Sequence, residues 1–286
     1  YERAEQQYNT DIYCRMYRSV DELLAYAHQT SPKVYRPFIM TEYLHTMGNS
    51  GGGLKEYMEV FESEPVVQGG CIWDWVDQSF REVDAHGKWY WAYGGDYGPE
   101  NIPSFGNFCC NGLVNAVREP HPHLKEVKKA YQYIKCTLKD PKNLTIAIKN
   151  WYDFTNLNAY VLKWSIMGDN GKMLAKGEQS IEVAPHATTE VSLGGVRLPR
   201  NIREAYLNLS WTPKKKSAFI GTDDEVAYDQ FVLPANSQYR PTLAKLSEKP
   251  EIQIDPKTGA LTSYIYEGQE YLASPVRLSL YRPATD

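Results

Sequence analysis

Residues 38–50 read Phe38-Ile39-Met40-Thr41-Glu42-Tyr43-Leu44-His45-Thr46-Met47-Gly48-Asn49-Ser50, and this stretch decides the fold. Its opening is a short apolar run of the kind a buried parallel strand makes, and the run delivers a single carboxylate, Glu42, at its end. A polar loop follows, with Gly48 and then Gly51-Gly52-Gly53, before a helical pattern begins. Barrels of alternating strands and helices keep their chemistry at the C-terminal ends of the strands. Glu42 is therefore a candidate catalytic group. The commoner fate of a glutamate is to cap a helix or pair with an arginine, and what shifts the balance here is the sequence around it.

Upstream, residues 11–17 read as a short strand. Ser19 and Glu22 have the spacing of a capping box, and a helix over 20–28 follows with Leu23, Leu24 and Ala27 on its apolar side. Downstream, Leu54, Tyr57, Met58 and Phe61 recur at helical spacing. Pro65 ends that helix, and residues 66–75 read as the next buried strand. Strand, helix, strand, helix, strand is the α/β pattern, with connections suited to parallel strands. Residues 76–119 read as irregular, a long aromatic loop of the kind that carries function; Trp89, Tyr90, Trp91, Tyr93, Tyr97, Phe105 and Phe108 argue against disorder. Pro122 then opens a helix to about residue 133.

At about Cys136 the pattern changes. Residues 144–148, 160–166, 205–211 and 226–233 alternate, with turn signals between them, which predicts an antiparallel sandwich, immunoglobulin-like in strand spacing. Residues 236–241 read as a linker, and 251–272 as two or three further strands, too few for a sandwich of their own. The expected fold class is thus α/β plus all-β, divided at 1–135, 136–235 and 236–286.

Composition bounds the function. With 286 residues, 42% apolar, the chain can bury a sizeable core, and its net charge of −4 gives no nucleic-acid or membrane footprint. No apolar run reaches spanning length, and Tyr1-Glu2-Arg3-Ala4-Glu5-Gln6 is no signal peptide. The opening, without an initiator methionine, reads as the middle of something longer. Five cysteines exclude a complete disulfide framework and read as free core thiols. The 22 tyrosines and 7 tryptophans favour stacking on flat, partly apolar ligands such as sugars.

Around Glu42 the useful partners are Tyr17 and Trp73, at the ends of the preceding and following strands. A phenol can orient a nucleophilic carboxylate, and an indole suits the apolar face of a pyranose; taken singly, a tyrosine placed as Tyr17 is more often core than catalytic, whereas Trp73 is as readily one as the other. Glu42 and His45 share the spacing of a metal pair, but they leave a strand for a Gly-Asn loop, which disfavours metal. His121-Pro122-His123 is a poor metal pair because Pro122 sits at a helix start. Asp74, Asp77 and Asp96 either line the pocket or hold loops together, and Lys214-Lys215-Lys216 is a solvated turn. No phosphate loop, nucleophile elbow or zinc motif is present.

Residues 41–50 and 68–79, the latter with Gln68-Gly69-Gly70-Cys71-Ile72-Trp73-Asp74-Trp75, resemble the large bacterial β-galactosidases of glycoside hydrolase family 2. Tyr93-Gly94-Gly95-Asp96-Tyr97-Gly98, Asn107-Phe108-Cys109-Cys110-Asn111-Gly112-Leu113-Val114 and Pro120-His121-Pro122 continue the resemblance in the family's order. It implies the C-terminal half of a TIM (β/α)8 barrel, an immunoglobulin-like domain, and the first strands of a further β-sandwich. It implies that Glu42, ending the seventh barrel strand, is the nucleophile of a retaining mechanism, that Tyr17 hydrogen-bonds it, and that His45 and Trp73 contact galactose. Phe108, through its carbonyl, and Asn111 correspond to two ligands of a sodium ion touching the sugar's 6-hydroxyl. The family's magnesium ligands, its Asn-Glu acid/base motif and the sodium site's carboxylate match nothing here and are expected before Tyr1.

The leading expectation is therefore a β-galactosidase segment, inactive alone for want of the acid, that handles β-galactosides within a bacterial homo-oligomer of the cytoplasm or periplasm. The alternatives are a non-catalytic carbohydrate-binding module and a structural fragment.

Overall fold

Strand β1 (Tyr13–Met16), helix α1 (Val20–Ala27), β2 (Phe38–Tyr43), α2 (Leu54–Ser63) and β3 (Val67–Ile72) alternate, and the three strands pair in parallel in the order β1-β2-β3. This architecture comes from a computed structural model that describes residues 4–240 and 247–281. Crossover helices cover one face of the sheet, and Phe38, Met40, Tyr43 and Val67 are buried against Leu23 and Tyr26 of α1 and Leu54 and Val60 of α2. The capping box is present: the Glu22 amide donates to the Ser19 hydroxyl at 3.2 Å and the Ser19 amide to the Glu22 carboxylate at 2.8 Å. Gly70 has no room for a side chain, since a Cβ would lie 2.9 Å from the Met40 carbonyl.

Four details correct the sequence reading. Strand β3 stops at Ile72 rather than continuing to residue 75, because the chain turns at Trp73, whose peptide bond to Asp74 is cis. Residues 76–119 are not wholly irregular: β4 (Phe80–Val83) and β5 (Trp89–Ala92) form an antiparallel hairpin. Strand β4 is exposed along its whole length, so no alternation of buried and exposed residues marks it. Helix α3 (His123–Ala130) ends earlier than residue 133, because the chain is already extended in β6 from Ile134. Only Cys14 and Cys136 are buried; Cys71 is exposed and Cys109 and Cys110 half-buried, all five as free thiols.

After α3 the chain forms two antiparallel sheets. One joins β6 (Ile134–Asp140), β7 (Thr145–Asn150) and β10 (Thr188–Ser192); the other joins β8 (Tyr160–Gly168), β9 (Met173–Gln179), β11 (Ala205–Pro213) and β12 (Ala227–Val232). Their facing sides share one core that includes Ile146, Ile148, Leu162, Ile166, Leu207, Leu209 and a fully buried Trp211. Strands β9 and β10 had no sequence expectation, because both are edge strands with little buried apolar surface. The sandwich is tied to the helices by Lys129, which pairs with Asp229 at 2.7 Å, and by Lys135, which pairs with Glu62. The expected linker lies partly outside the described residues. Beyond it β13 (Glu251–Ile254), β14 (Leu261–Tyr266) and β15 (Gln269–Glu270) form a meander. Among the described residues no helix is long and apolar enough to cross a membrane.

Candidate active site

The C-terminal ends of the three parallel strands are laced together through their backbones. The Tyr17 amide donates to the Glu42 carbonyl at 2.8 Å, the Trp73 amide to the Tyr43 carbonyl at 2.9 Å, and the Thr46 amide to the Trp73 carbonyl at 2.9 Å. Tyr17 and Leu44 have left-handed backbones, with φ of 51° and 56°, an uncommon state for such residues. Each lies where the chain leaves its strand.

These turns open a cavity of about 640 Å³ lined by Tyr17, Glu42, His45, Trp73, Gln78, Phe105 and Phe108. Its volume falls in the range of small-ligand sites. The His45 ring stacks on Phe108 with centroids 4.8 Å apart, and Tyr17 meets His45 edge-on at 6.3 Å. Of the six residues to which the family resemblance gives site roles, five meet at this cavity.

The sixth, Asn111, lies behind the wall and does not line the cavity. Its backbone carbonyl accepts the Asp74 amide at 2.8 Å and the Thr46 hydroxyl. Its side chain is fully buried, and neither amide atom has a hydrogen-bond partner among the described residues. A buried carbonyl oxygen left in that state is costly unless something meets it, and a cation is one group that would. The donor chemistry thus fits the implied sodium ligand. Among the described residues, no three His, Cys, Asp or Glu side chains are grouped to hold a metal.

The acidic residues divide by role. Asp77 is buried and holds loops together, accepting the Gly112 amide at 2.7 Å and facing His121 Nε2 at 2.9 Å. His121 is thereby engaged with Asp77 rather than with His123. Gly112 packs so closely that a Cβ would lie 2.3 Å from the Asp77 nitrogen. Asp74 accepts the Gln78 side-chain amide at 3.1 Å, and Asp96 accepts the Tyr93 amide at 2.9 Å. Gln78 was not singled out by sequence reasoning; only its place in the 68–79 motif marked it. Cys109 and Cys110 follow the lining residue Phe108 in sequence, with their sulfurs 3.7 Å apart, and burial, reinforced by Cys109, pushes the Cys110 thiol up to about 11.

A carboxylate at a strand end facing aromatic rings can attack or stabilise a sugar-like electrophile while the rings cover its apolar face. Residues 2–136 match the profile of the TIM barrel domain of family 2 glycosyl hydrolases, and residues 146–234 match that of β-galactosidase domain 4. The chain is 38% identical to a β-galactosidase of Priestia megaterium, over 97% of this chain and 28% of that protein. It is 34% identical to β-galactosidase 2 of Enterobacter cloacae and 35% to a β-galactosidase of Klebsiella pneumoniae, in each case over 97% of this chain and 29% of the relative. The chain thus spans less than a third of the length of these relatives.

Proposed function

Because the chain belongs to glycosyl hydrolase family 2, we propose that it is a segment of a retaining β-galactosidase and that the Glu42 cavity is the galactose-binding part of its active site. The observation that carries this reading is the convergence of Tyr17, Glu42, His45, Trp73 and Phe108 on one cavity at the strand ends.

In this reading the Glu42 carboxylate attacks the anomeric carbon as the bond to the leaving oxygen breaks. A glycosyl ester forms, and water then hydrolyses it. Tyr17 orients the carboxylate, Trp73 and Phe108 lie against the ring, and His45, held by its stack on Phe108, contacts a hydroxyl. The Phe108 carbonyl and the Asn111 amide oxygen would hold a sodium ion, whose charge would anchor a sugar hydroxyl. Nothing in this chain is assigned to magnesium. The Asn-Glu dipeptide that supplies the family's acid/base does not occur in the 286 residues, so the segment alone turns over no lactose. Residues 1–135 are read as the later part of the barrel, 136–235 as an immunoglobulin-like domain, and 236–286 as the start of another sandwich. The complete protein is read as a homo-oligomer acting on β-galactosides.

The test is a 2-fluoro-galactoside with an activated leaving group, which needs no acid and whose ester breaks down slowly. Intact mass and peptide mapping should find an adduct on Glu42, absent with the gluco analogue and in Glu42→Gln. An adduct elsewhere, or one that survives Glu42→Gln, would sink the assignment. If the segment gives none, a chain extended upstream through the whole barrel must give it.

A further inference from the structure

Between Phe108, which lines the cavity, and Asn111 lie two adjacent cysteines that the proposed reaction does not use. Cys109 and Cys110 are both half-buried free thiols, with sulfurs 3.7 Å apart, about 1.7 Å beyond a sulfur–sulfur bond length. They lie in a loop rather than a helix or strand, so the backbone around them is free to adjust. One flank of the pair lines the cavity and the other is buried. Phe108, immediately before, lines it and stacks on His45, and Asn111, immediately after, is the buried amide behind it. The Cys109 carbonyl accepts the Gln78 amide at 2.7 Å, and Gln78 is itself a lining residue.

We propose that Cys109 and Cys110 are a redox modification site that takes a small-molecule disulfide, closes to a vicinal disulfide, and thereby reshapes the wall of the cavity. One cysteine sulfur attacks the small disulfide, forming a mixed disulfide and releasing one small thiol. The second cysteine sulfur displaces the other small thiol, so that the protein's sulfur–sulfur bond forms as the reagent's is broken. Two electrons pass from the cysteines to the reagent, and the two cysteine protons leave with the two small thiols.

Closure is felt by the neighbours because of geometry. Adjacent Cα atoms are about 3.8 Å apart across a trans peptide, whereas an unstrained disulfide prefers about 5.5 Å or more. The ring must therefore twist the Cys109–Cys110 peptide, whose carbonyl holds the Gln78 amide. Strain of this kind also makes the bond easy to reduce, the property of regulatory rather than structural disulfides. Cys71 is exposed but has no cysteine beside it in sequence, and Cys14 and Cys136 are buried. The pair is thus the natural place for an internal bond.

The experiment equilibrates the chain with oxidised glutathione and then reads intact mass, mapped peptides and amide exchange. In the mapped peptides the Cys109–Cys110 segment should be two hydrogens lighter and carry no glutathione, whatever the exposed Cys71 takes up. The Gln78 amide should exchange roughly tenfold faster as its acceptor turns away, and dithiothreitol should reverse both changes. Cys110→Ala and, separately, Cys109→Ala should give only a mixed disulfide and no change at Gln78; the reversal in the unaltered chain needs no variant. A reaction that halts at the mixed disulfide overturns the proposal, as does a closed ring that leaves Gln78 exchange unchanged. Where the cavity is labelled by the 2-fluoro-galactoside, which rests on the galactosidase reading, oxidation should slow labelling by roughly tenfold or more. Mass and exchange use no glycoside, so failure of that reading and failure of this one remain distinguishable.

Discussion

The parallel sheet and the sandwich keep the alternation of their strands differently. In the sandwich it is unbroken along most of β11: Ala205, Leu207, Leu209 and Trp211 are buried in the core, and the residues between them are only half-buried. In the parallel sheet it breaks near the strand end. Phe38, Met40 and Tyr43 of β2 are buried, but where the pairing register shifts between Met40 and Tyr43 two successive residues, Thr41 and Glu42, are half-exposed, Glu42 lining the cavity. The loops beyond bury Thr46, Asp77 and Asn111, the last with its amide unpartnered among the described residues, whereas the buried Asn150 of the sandwich donates to the Thr155 and Val183 carbonyls, each at 2.9 Å. Stability and proposed chemistry are thus neighbours in one region, while the other is given over to packing.

The largest expected effect tests whether the regions are separable. Trp211→Ala removes a fully buried indole and should destabilise the sandwich by about 3–5 kcal/mol. Amide exchange resolved by peptide should show β7, β8 and β11 losing protection while α1 and α2 keep theirs. If the helices lose protection in step, the pairs Lys129–Asp229 and Lys135–Glu62 join the regions into one cooperative unit, and the comparison breaks.

Gly112→Ala strikes the other region. The new Cβ meets backbone rather than a flexible side chain, 2.3 Å from the Asp77 nitrogen and 2.5 Å from the Val76 carbonyl carbon, so the loop must shift, at a cost of about 1–3 kcal/mol. Labelling at Glu42 should fall steeply while the sandwich amides keep their protection. Labelling unchanged from the unaltered chain would show that the wall behind the cavity does not position it.

The same division explains what the sequence made legible. Residues 160–166 and 205–211 announce strands because alternation through a sheet leaves a period of two, and residues 38–43 announce one because a buried apolar run ends in a carboxylate. Tyr17 and Trp73 were legible from their places at strand ends, and His45, Phe108 and Asn111 took their roles only from the family motifs. Edge strands β9 and β10 and the exposed hairpin β4–β5 bury too little on one face to leave a pattern. Gln78 and Gly112 were not legible, and Asp77 only as a choice between lining the pocket and holding loops together, because their roles depend on contacts between the 74–78 and 109–114 segments that no local spacing encodes.

A smaller effect sharpens the picture of the parallel region. Ser19 caps α1 with its side chain, whereas α2 starts at Gly53 with no side-chain cap. Ser19→Ala should therefore cost about 1 kcal/mol, seen as faster exchange in the first turn of α1, with β1 and β2 unaffected. A loss spreading to the strands would mean that the cap, and not burial of Leu23 and Tyr26, holds the helix on the sheet.

The smallest effect belongs to the terminal meander, where β13 is exposed throughout and hydrogen bonds rather than burial hold the turn. The Glu270 carboxylate accepts from the Ser263 hydroxyl at 2.5 Å, the Leu272 amide at 2.8 Å and the Tyr264 amide at 3.0 Å. These bonds, that from Ser263 first, lower its pKa from the usual 4.5 to about 2. The folded value lies below the unfolded one, so the stabilisation is fully present above about pH 4.5 and is lost as the pH falls toward 2. The group is exposed and screened, so the change should be confined to the meander. Exchange at Tyr264 and Leu272 should quicken across that window, and Glu270→Gln should flatten the dependence. If the sandwich amides loosen across the same window and Glu270→Gln abolishes that too, the meander supports the sandwich, and a two-region division is too simple.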